Sequence, residues 1–185
     1  MARTFRLTAR FIPFVLPFLL ATAASAQDSG NFSVAVLGGL GGSLDVKPGG
    51  ALDNLGYQLN LGMWTEPRTQ VVVRVGKLGL DQDAVFGKLT DPDLTYATIG
   101  GEYRANAEYY DSGVFISLGA YRLSGTRLAD GAERRETAPG LSAGVTGEFR
   151  INRYLGVLVE LAGHYVSFDD AQVFATGHAG LVVRF

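Results

Sequence analysis

The chain has no cysteine, a single tryptophan and only two histidines in 185 residues. Without cysteine there is no disulfide framework, so packing and hydrogen bonds alone must hold the fold. There is no excess of positive charge either: 16 basic residues face 18 acidic ones. That balance argues against a nucleic-acid partner, which calls for basic patches. Beyond residue 26 no run of 18 apolar residues occurs, so that part cannot cross a membrane as a helix. Also missing are a phosphate-binding glycine motif, a metal-ligand cluster, a calcium-loop spacing and a catalytic triad. No cofactor or metal is expected.

The first 26 residues have an organisation of their own. Arg3, Arg6 and Arg10 form a positive start, and an apolar run follows from Phe11 to Leu20. Ala24-Ser25-Ala26 then gives a small-x-small cleavage site before Gln27. This order is that of a secretory signal peptide at 1–26. The alternative is an N-terminal anchor, for which the run is short against the ~20 residues of a spanning helix. Cleavage leaves 159 residues of the 185, with 13 basic residues against 18 acidic ones and a net charge of −5. All 25 glycines lie in this part, about twice the usual share of ~7%.

Residues 27–185 form one domain, and its signal is alternation of apolar and polar residues, the period of a strand with two unlike faces. Eight segments carry it. The first covers Asn31 to Gly42. In the second, Leu55, Tyr57, Leu59, Leu61 and Met63 alternate with Gly56, Gln58, Asn60 and Gly62. The others centre on Val71–Val75, Ala97–Tyr103, Val114–Ala120, Leu141–Phe149, Val157–Tyr165 and Ala179–Phe185. Each spans roughly 10 to 13 residues, close to the 9–11 of a tilted membrane strand and longer than most soluble strands. Tight turns at Thr65–Arg68 and Ile151–Tyr154, and a modest one at Asn106–Ser112, alternate with longer loops at Ser43–Asp53, Gly79–Pro92 and Ser124–Ala138. The last connection, Ser167–Gln172, is short. Short periplasmic turns facing longer external loops are the layout of outer-membrane barrels. The predicted fold is an all-β, eight-stranded antiparallel up-and-down transmembrane β-barrel. Gly38-Gly39-Leu40-Gly41-Gly42 sits on a strand, where glycine allows sharp curvature.

The polar face decides which way the barrel is turned. It holds mostly Gly, Ser, Ala, Thr, Gln and Asn, which suit a narrow interior, while the other face is aliphatic and aromatic without a mid-strand charge. Six charges fall on the inward face: Arg74, Arg150 and Arg184 against Glu102, Glu148 and Glu160. Burial demands partners, so these six are expected to pair, Arg74 with Glu102 and Glu160 with Arg184 or Arg150. Aromatic girdles are expected from Tyr103, Tyr154 and Phe185 at the periplasmic end and from Tyr57, Tyr96, Tyr165 and Phe168 at the outer end. Trp64 has the inward parity.

The C-terminal stretch His178-Ala179-Gly180-Leu181-Val182-Val183-Arg184-Phe185 resembles the assembly signal of bacterial outer-membrane barrels, carried by His178, Gly180, Val183 and Phe185. From Asn31 to Phe185 the layout resembles the small barrels of the OmpA/OmpX type. The resemblance implies export through the periplasm, contact with chaperones there, insertion by the barrel assembly machinery, a monomer in the bacterial outer membrane beside its lipids and lipopolysaccharide, and no peptidoglycan-binding domain. It also implies a structural or surface-interaction role borne by the loops, among them Asp81, Asp83, Lys88, Asp91 and Asp93 in the second and Arg127, Asp130, Glu133, Arg134, Arg135 and Glu136 in the third. One alternative is a narrow pore for ions or small solutes. A lipid A-modifying enzyme is another, but the His164–Ser167 spacing puts those side chains on opposite faces, and no serine lies two residues from His178.

Overall fold

A computed structural model describes residues 31–44, 54–80, 89–168 and 173–185. The expected leader with Ala24, Ala26 and Gln27 lies outside these residues, as do Asp81, Asp83 and Lys88. The described chain forms eight strands: β1 (Phe32–Ser43), β2 (Asn54–Glu66), β3 (Thr69–Gly79), β4 (Leu89–Asn106), β5 (Tyr110–Arg127), β6 (Glu133–Arg150), β7 (Leu155–Val166) and β8 (Val173–Arg184). Each pairs antiparallel with its neighbours in sequence, and β1 also pairs with β8, which closes the sheet into a barrel. At the seam the Phe185 amide donates to the Phe32 carbonyl and the Phe32 amide to the Phe185 carbonyl, both at 3.0 Å.

Successive side chains of a strand point to opposite faces, and here the two faces differ in chemistry. In β5, Val114, Ile116 and Leu118 are 57–65% exposed, whereas Phe115 and Ser117 between them are buried. The same outward row continues around the barrel through Val145, Leu161, Leu181, Val36, Leu59, Leu61, Val75 and Ile99. A continuous aliphatic belt of this kind is an aggregation liability in water and the normal exterior of a barrel in hydrocarbon.

The tight turns fall where expected. Pro67 and Arg68 connect β2 to β3. The 151–154 turn is held by the Asn152 carboxamide oxygen, which accepts from the Tyr154 and Leu155 amides at 2.8 and 2.9 Å. Two expectations need correction. The stretch 124–138 is not a loop: β5 and β6 stay paired as far as Thr126 opposite Glu133. β4, β5 and β6 therefore reach 18 residues each rather than 10 to 13. The physical reason is that this hairpin stands beyond the aliphatic belt. Its strands carry charges on both faces, and the hydrophobic alternation that marks a strand in sequence vanishes. Its tip is ordered by Asp130, whose carboxylate accepts the Ala132 amide at 3.1 Å, with Gly131 at φ 69°. The Ala132 amide, and then the Arg127 guanidinium, hold the Asp130 carboxyl below its ordinary range.

The second correction concerns the girdle and the interior. Tyr96 and Phe168 point inward and are 2% and 1% exposed. The interior thus accepts bulky rings, and glycines on facing positions make the room. A Cβ at Gly76 would sit 2.3 Å from Cζ of Tyr96, and one at Gly144 would sit 2.8 Å from the Phe115 ring.

Candidate functional site

The inward face divides into two zones. The zone nearer the short turns holds a single alternating chain of charges. Glu160 Oε2 accepts from Nε of Arg74 at 3.0 Å, and Nη2 of Arg74 donates to Oε2 of Glu102 at 2.6 Å. Glu102 Oε1 accepts from Nε of Arg104 and from the Thr146 hydroxyl, both at 2.8 Å. Arg104 then reaches Glu148, and Glu148 takes Arg184 on its other oxygen. The order Glu160–Arg74–Glu102–Arg104–Glu148–Arg184 places three guanidiniums between and beside three carboxylates, with no net charge.

Arg74 is the centre of this chain. The 2-residue period of β3 turns Gln70, Val72 and Arg74 inward, and Arg74 is 2% exposed. Its guanidinium lies 3.8 Å from the Phe115 ring centroid, and Nη1 stands 3.4 Å from the Ser117 hydroxyl. Around it, Gln58 and Asn60 donate to Glu160 at 2.8 and 3.2 Å. Charges this deep persist only when each finds partners.

The six expected residues are therefore not one set. Arg74, Glu102, Glu148, Glu160 and Arg184 come together; Arg150 does not join them. It pairs with Asp111 at the short-turn end of the barrel, at 2.5 Å, with its side chain 35% exposed. Glu160 reaches neither Arg184 nor Arg150 but binds Arg74. The place assigned to Arg150 belongs to Arg104, a residue that strand parity also turns inward. Asp111 is hidden in the sequence because its surroundings look like a turn, whereas β5 begins at Tyr110.

The zone nearer the long loops is apolar. Leu78, Leu80, Leu89, Leu94, Tyr96, Tyr121, Leu123, Val166, Phe168 and Phe174 form one buried cluster. Between the zones lies a polar layer. The Tyr96 hydroxyl donates to Gln58 Oε1 at 2.5 Å, and His164 has Tyr121 at 3.1 Å on Nδ1 and Thr176 at 3.0 Å on Nε2. His178 stands beside Glu160 across the β7–β8 ladder. It is 2% exposed, and neither ring nitrogen has a hydrogen-bond partner. Its ring is accommodated by Gly39, where a Cβ would lie 2.6 Å from Cδ2 of His178.

Chemically, the charges neutralise one another in fixed pairs, and the apolar cluster packs the outer half of the interior among the described residues. His164 faces inward and Ser167 outward. A different serine, Ser142, lies opposite His164 on the neighbouring strand, a pairing that only the register reveals; both are buried in the interior, away from the lipid surface. Among the described residues no group of three or more His, Asp or Glu side chains is placed to hold a metal ion. Of the C-terminal signal, His178 and Gly180 face the lumen, while Phe185 stacks on Phe32 with ring centroids 6.4 Å apart. Trp64 faces Arg104, whose guanidinium carbon is 5.5 Å from the ring.

No sequence-family profile matches the chain, and no characterised protein matches it by sequence. Solved structures do resemble it. Neisserial surface protein A superposes with a TM-score of 0.66 at 13% identity, over 84% of this chain and 97% of that one. A major outer membrane protein from Thermus thermophilus gives 0.64 at 12% identity, over 85% and 100%. Ail, the attachment invasion locus protein of Yersinia pestis, gives 0.53 at 17% identity, over 85% and 100%. At these identities the likeness is one of fold. Closed by β1 on β8, belted with aliphatic side chains and filled within, the chain has the fold of the small eight-stranded outer-membrane β-barrels.

Proposed function

We propose that the chain is an integral outer-membrane barrel with a structural or surface-interaction role, non-enzymatic, whose working part is its outer end rather than its lumen. The observation that carries this reading is the contrast between a filled interior and a protruding sheet. The β4–β5 ladder continues to Leu89 opposite Arg127, and the β5–β6 ladder to Thr126 opposite Glu133. The flanking ladders stop sooner, β3 at Gly79 opposite Asp93 and β7 at Val166 opposite Gly140. Three strands thus stand above the rim on one side and present charged side chains to the outside, including Arg127, Asp130, Glu133 and Arg135. Mixed charge with internal pairing suits polar partners, and loops and hairpin tips are where scaffold proteins carry recognition. Two relatives in fold are named for a surface location and for attachment, which supports the same reading.

The partners follow from that location. Outer-membrane lipids and lipopolysaccharide surround the belt, and the barrel assembly machinery and periplasmic chaperones act during biogenesis. The assembled form is a monomer. Three measurements test the proposal. Heat-modifiable gel mobility of the membrane fraction is expected, and its absence removes the barrel. Planar-bilayer recordings are expected to show no steady conductance; a stable open channel replaces this reading with the pore. Shortening the 122–138 hairpin is expected to leave gel mobility unchanged while abolishing binding of the cells to surfaces. Unchanged binding assigns the role elsewhere.

A further inference from the structure

The lipid-facing surface is not uniform. On β4, β5 and β6, Ala105, Ser112 and Gly147 lie in one register row, all outward. The next row away from the short turns is tall: Tyr103, Val114, Val145 and Leu161. The row nearer the turns is tall as well, with Tyr110 opposite Phe149 and their rings 5.0 Å apart. A low row between two high ones makes a groove across the strands, about 640 Å³ in volume. That is within the ~300–1,000 Å³ of ordinary ligand sites. Its position near the β4–β5 and β6–β7 turns puts it in the periplasmic half of the belt.

We propose that this groove retains an anionic phospholipid of the periplasmic leaflet, with one acyl chain in the groove and the phosphate on Arg68. The occupant is identified by chemistry at the two ends of the site. The groove is walled by aliphatic and aromatic side chains, which suit an acyl chain. At its periplasmic lip Nη1 of Arg68 stands 3.5 Å from the hydroxyl of Tyr103, a wall residue. Arg68 is exposed and able to turn to a phosphate, and Arg153, 4.6 Å above the Tyr154 ring, adds a second cation beyond Phe149. Glu66 and Glu108 sit at neighbouring turns, so the attraction is local to Arg68 rather than a field over the whole rim. Lipopolysaccharide does not compete for this site because it occupies the opposite leaflet. Tyrosine at such a depth is also the side chain that best suits an interface, with an apolar ring and a polar tip.

The test uses the mature protein in nanodiscs of phosphatidylcholine with a minority of phosphatidylglycerol, reading the motionally restricted fraction of spin-labelled lipid of each kind. Wild type is expected to restrict phosphatidylglycerol in preference to phosphatidylcholine. Arg68→Gln is expected to reduce that preference about fivefold, the size of one basic contact with an anionic headgroup. Ser112→Leu raises the groove floor and is expected to reduce restriction of both lipids. Ala120→Leu, an outward change on the outer half of β5, is expected to alter nothing. The proposal rests on membrane embedding, which heat-modifiable mobility of each variant checks separately. Equal restriction of both lipids by wild type, or no change in Arg68→Gln and Ser112→Leu, overturns it. So does a dimer seen by mass photometry that Ser112→Leu dissolves, since a second copy would then fill the groove.

Discussion

The two halves of the lumen solve one problem by different means. The outer half fills its space with leucine and aromatic side chains, whose only polar atoms, the Tyr96 and Tyr121 hydroxyls, have hydrogen-bond partners. The inner half, beside a small apolar cluster of Ala35, Leu37, Leu158 and Val182, holds three arginines and three glutamates, each costly to bury alone and tolerable only in the chain. Loss of one member from the apolar half leaves a cavity but strands no charge, so its cost stays at the site. The ionic half is brittle, because removing one charge strands its partners. It is also the more specific half: a guanidinium that must meet two carboxylates from other strands fixes the register of β3, β4 and β7 together.

The largest effect expected from this comparison is at Arg74. Arg74→Leu leaves Glu102 and Glu160 each short of a cation in the interior, a loss of ~3–5 kcal/mol. It reads out as a lower urea midpoint and a smaller folded fraction on unheated gels. Adding Glu160→Gln to the same chain, which leaves two guanidiniums facing two carboxylates, is expected to restore part of that loss. If the double variant is no better than the single one, stranded charge is not the cause. Leu94→Ala in the outer half is expected to cost ~2–5 kcal/mol by leaving a cavity, and no second substitution of a neighbour by a polar residue rescues it.

A change of opposite sign is expected at His178. It holds two unpartnered ring nitrogens, so His178→Phe keeps stability or raises it by up to about 1 kcal/mol, because an unsatisfied buried polar group leaves. A clear loss of stability in urea melts contradicts that. The smallest effect lies outside both halves. Asp130 is depressed by the Ala132 amide and by Arg127. Its contribution is therefore present above the ordinary aspartate value and is lost as pH falls through its lower folded value. Amide exchange at Ala132 is expected to quicken only at that acid end, with the barrel's melting unchanged, and Asp130→Asn is expected to remove the pH dependence.

Much of the fold is legible in the order of residues. Alternation at Leu55–Met63 or Val114–Ala120 is strong because lipid lies on one side and a crowded lumen on the other, so each residue type reports its face. The same logic explains where legibility ends. Along 124–138 charged side chains occupy both faces, and the strands lose their signature. By residue type Tyr96 and Phe168 look like girdle members, but the parity of Tyr96, inward like Thr98 and Glu102, contradicts that. The candidate site is half visible: all six of its charges have inward parity, as does Arg150, and which of Arg104 and Arg150 joins the chain depends on how far each strand climbs before it meets its neighbour.

By itself the sequence determined the class of solution: strands in place of spanning helices, aliphatic side chains outward and charges inward, because period and composition act locally along the chain. The tertiary structure alone decided who meets whom. The alternating order from Glu160 to Arg184, the ring-over-glycine packing of Tyr96 on Gly76, and the groove between two ridges all depend on the stagger between strands. That stagger is set by closing β1 onto β8, a condition on the whole sheet that no single segment contains.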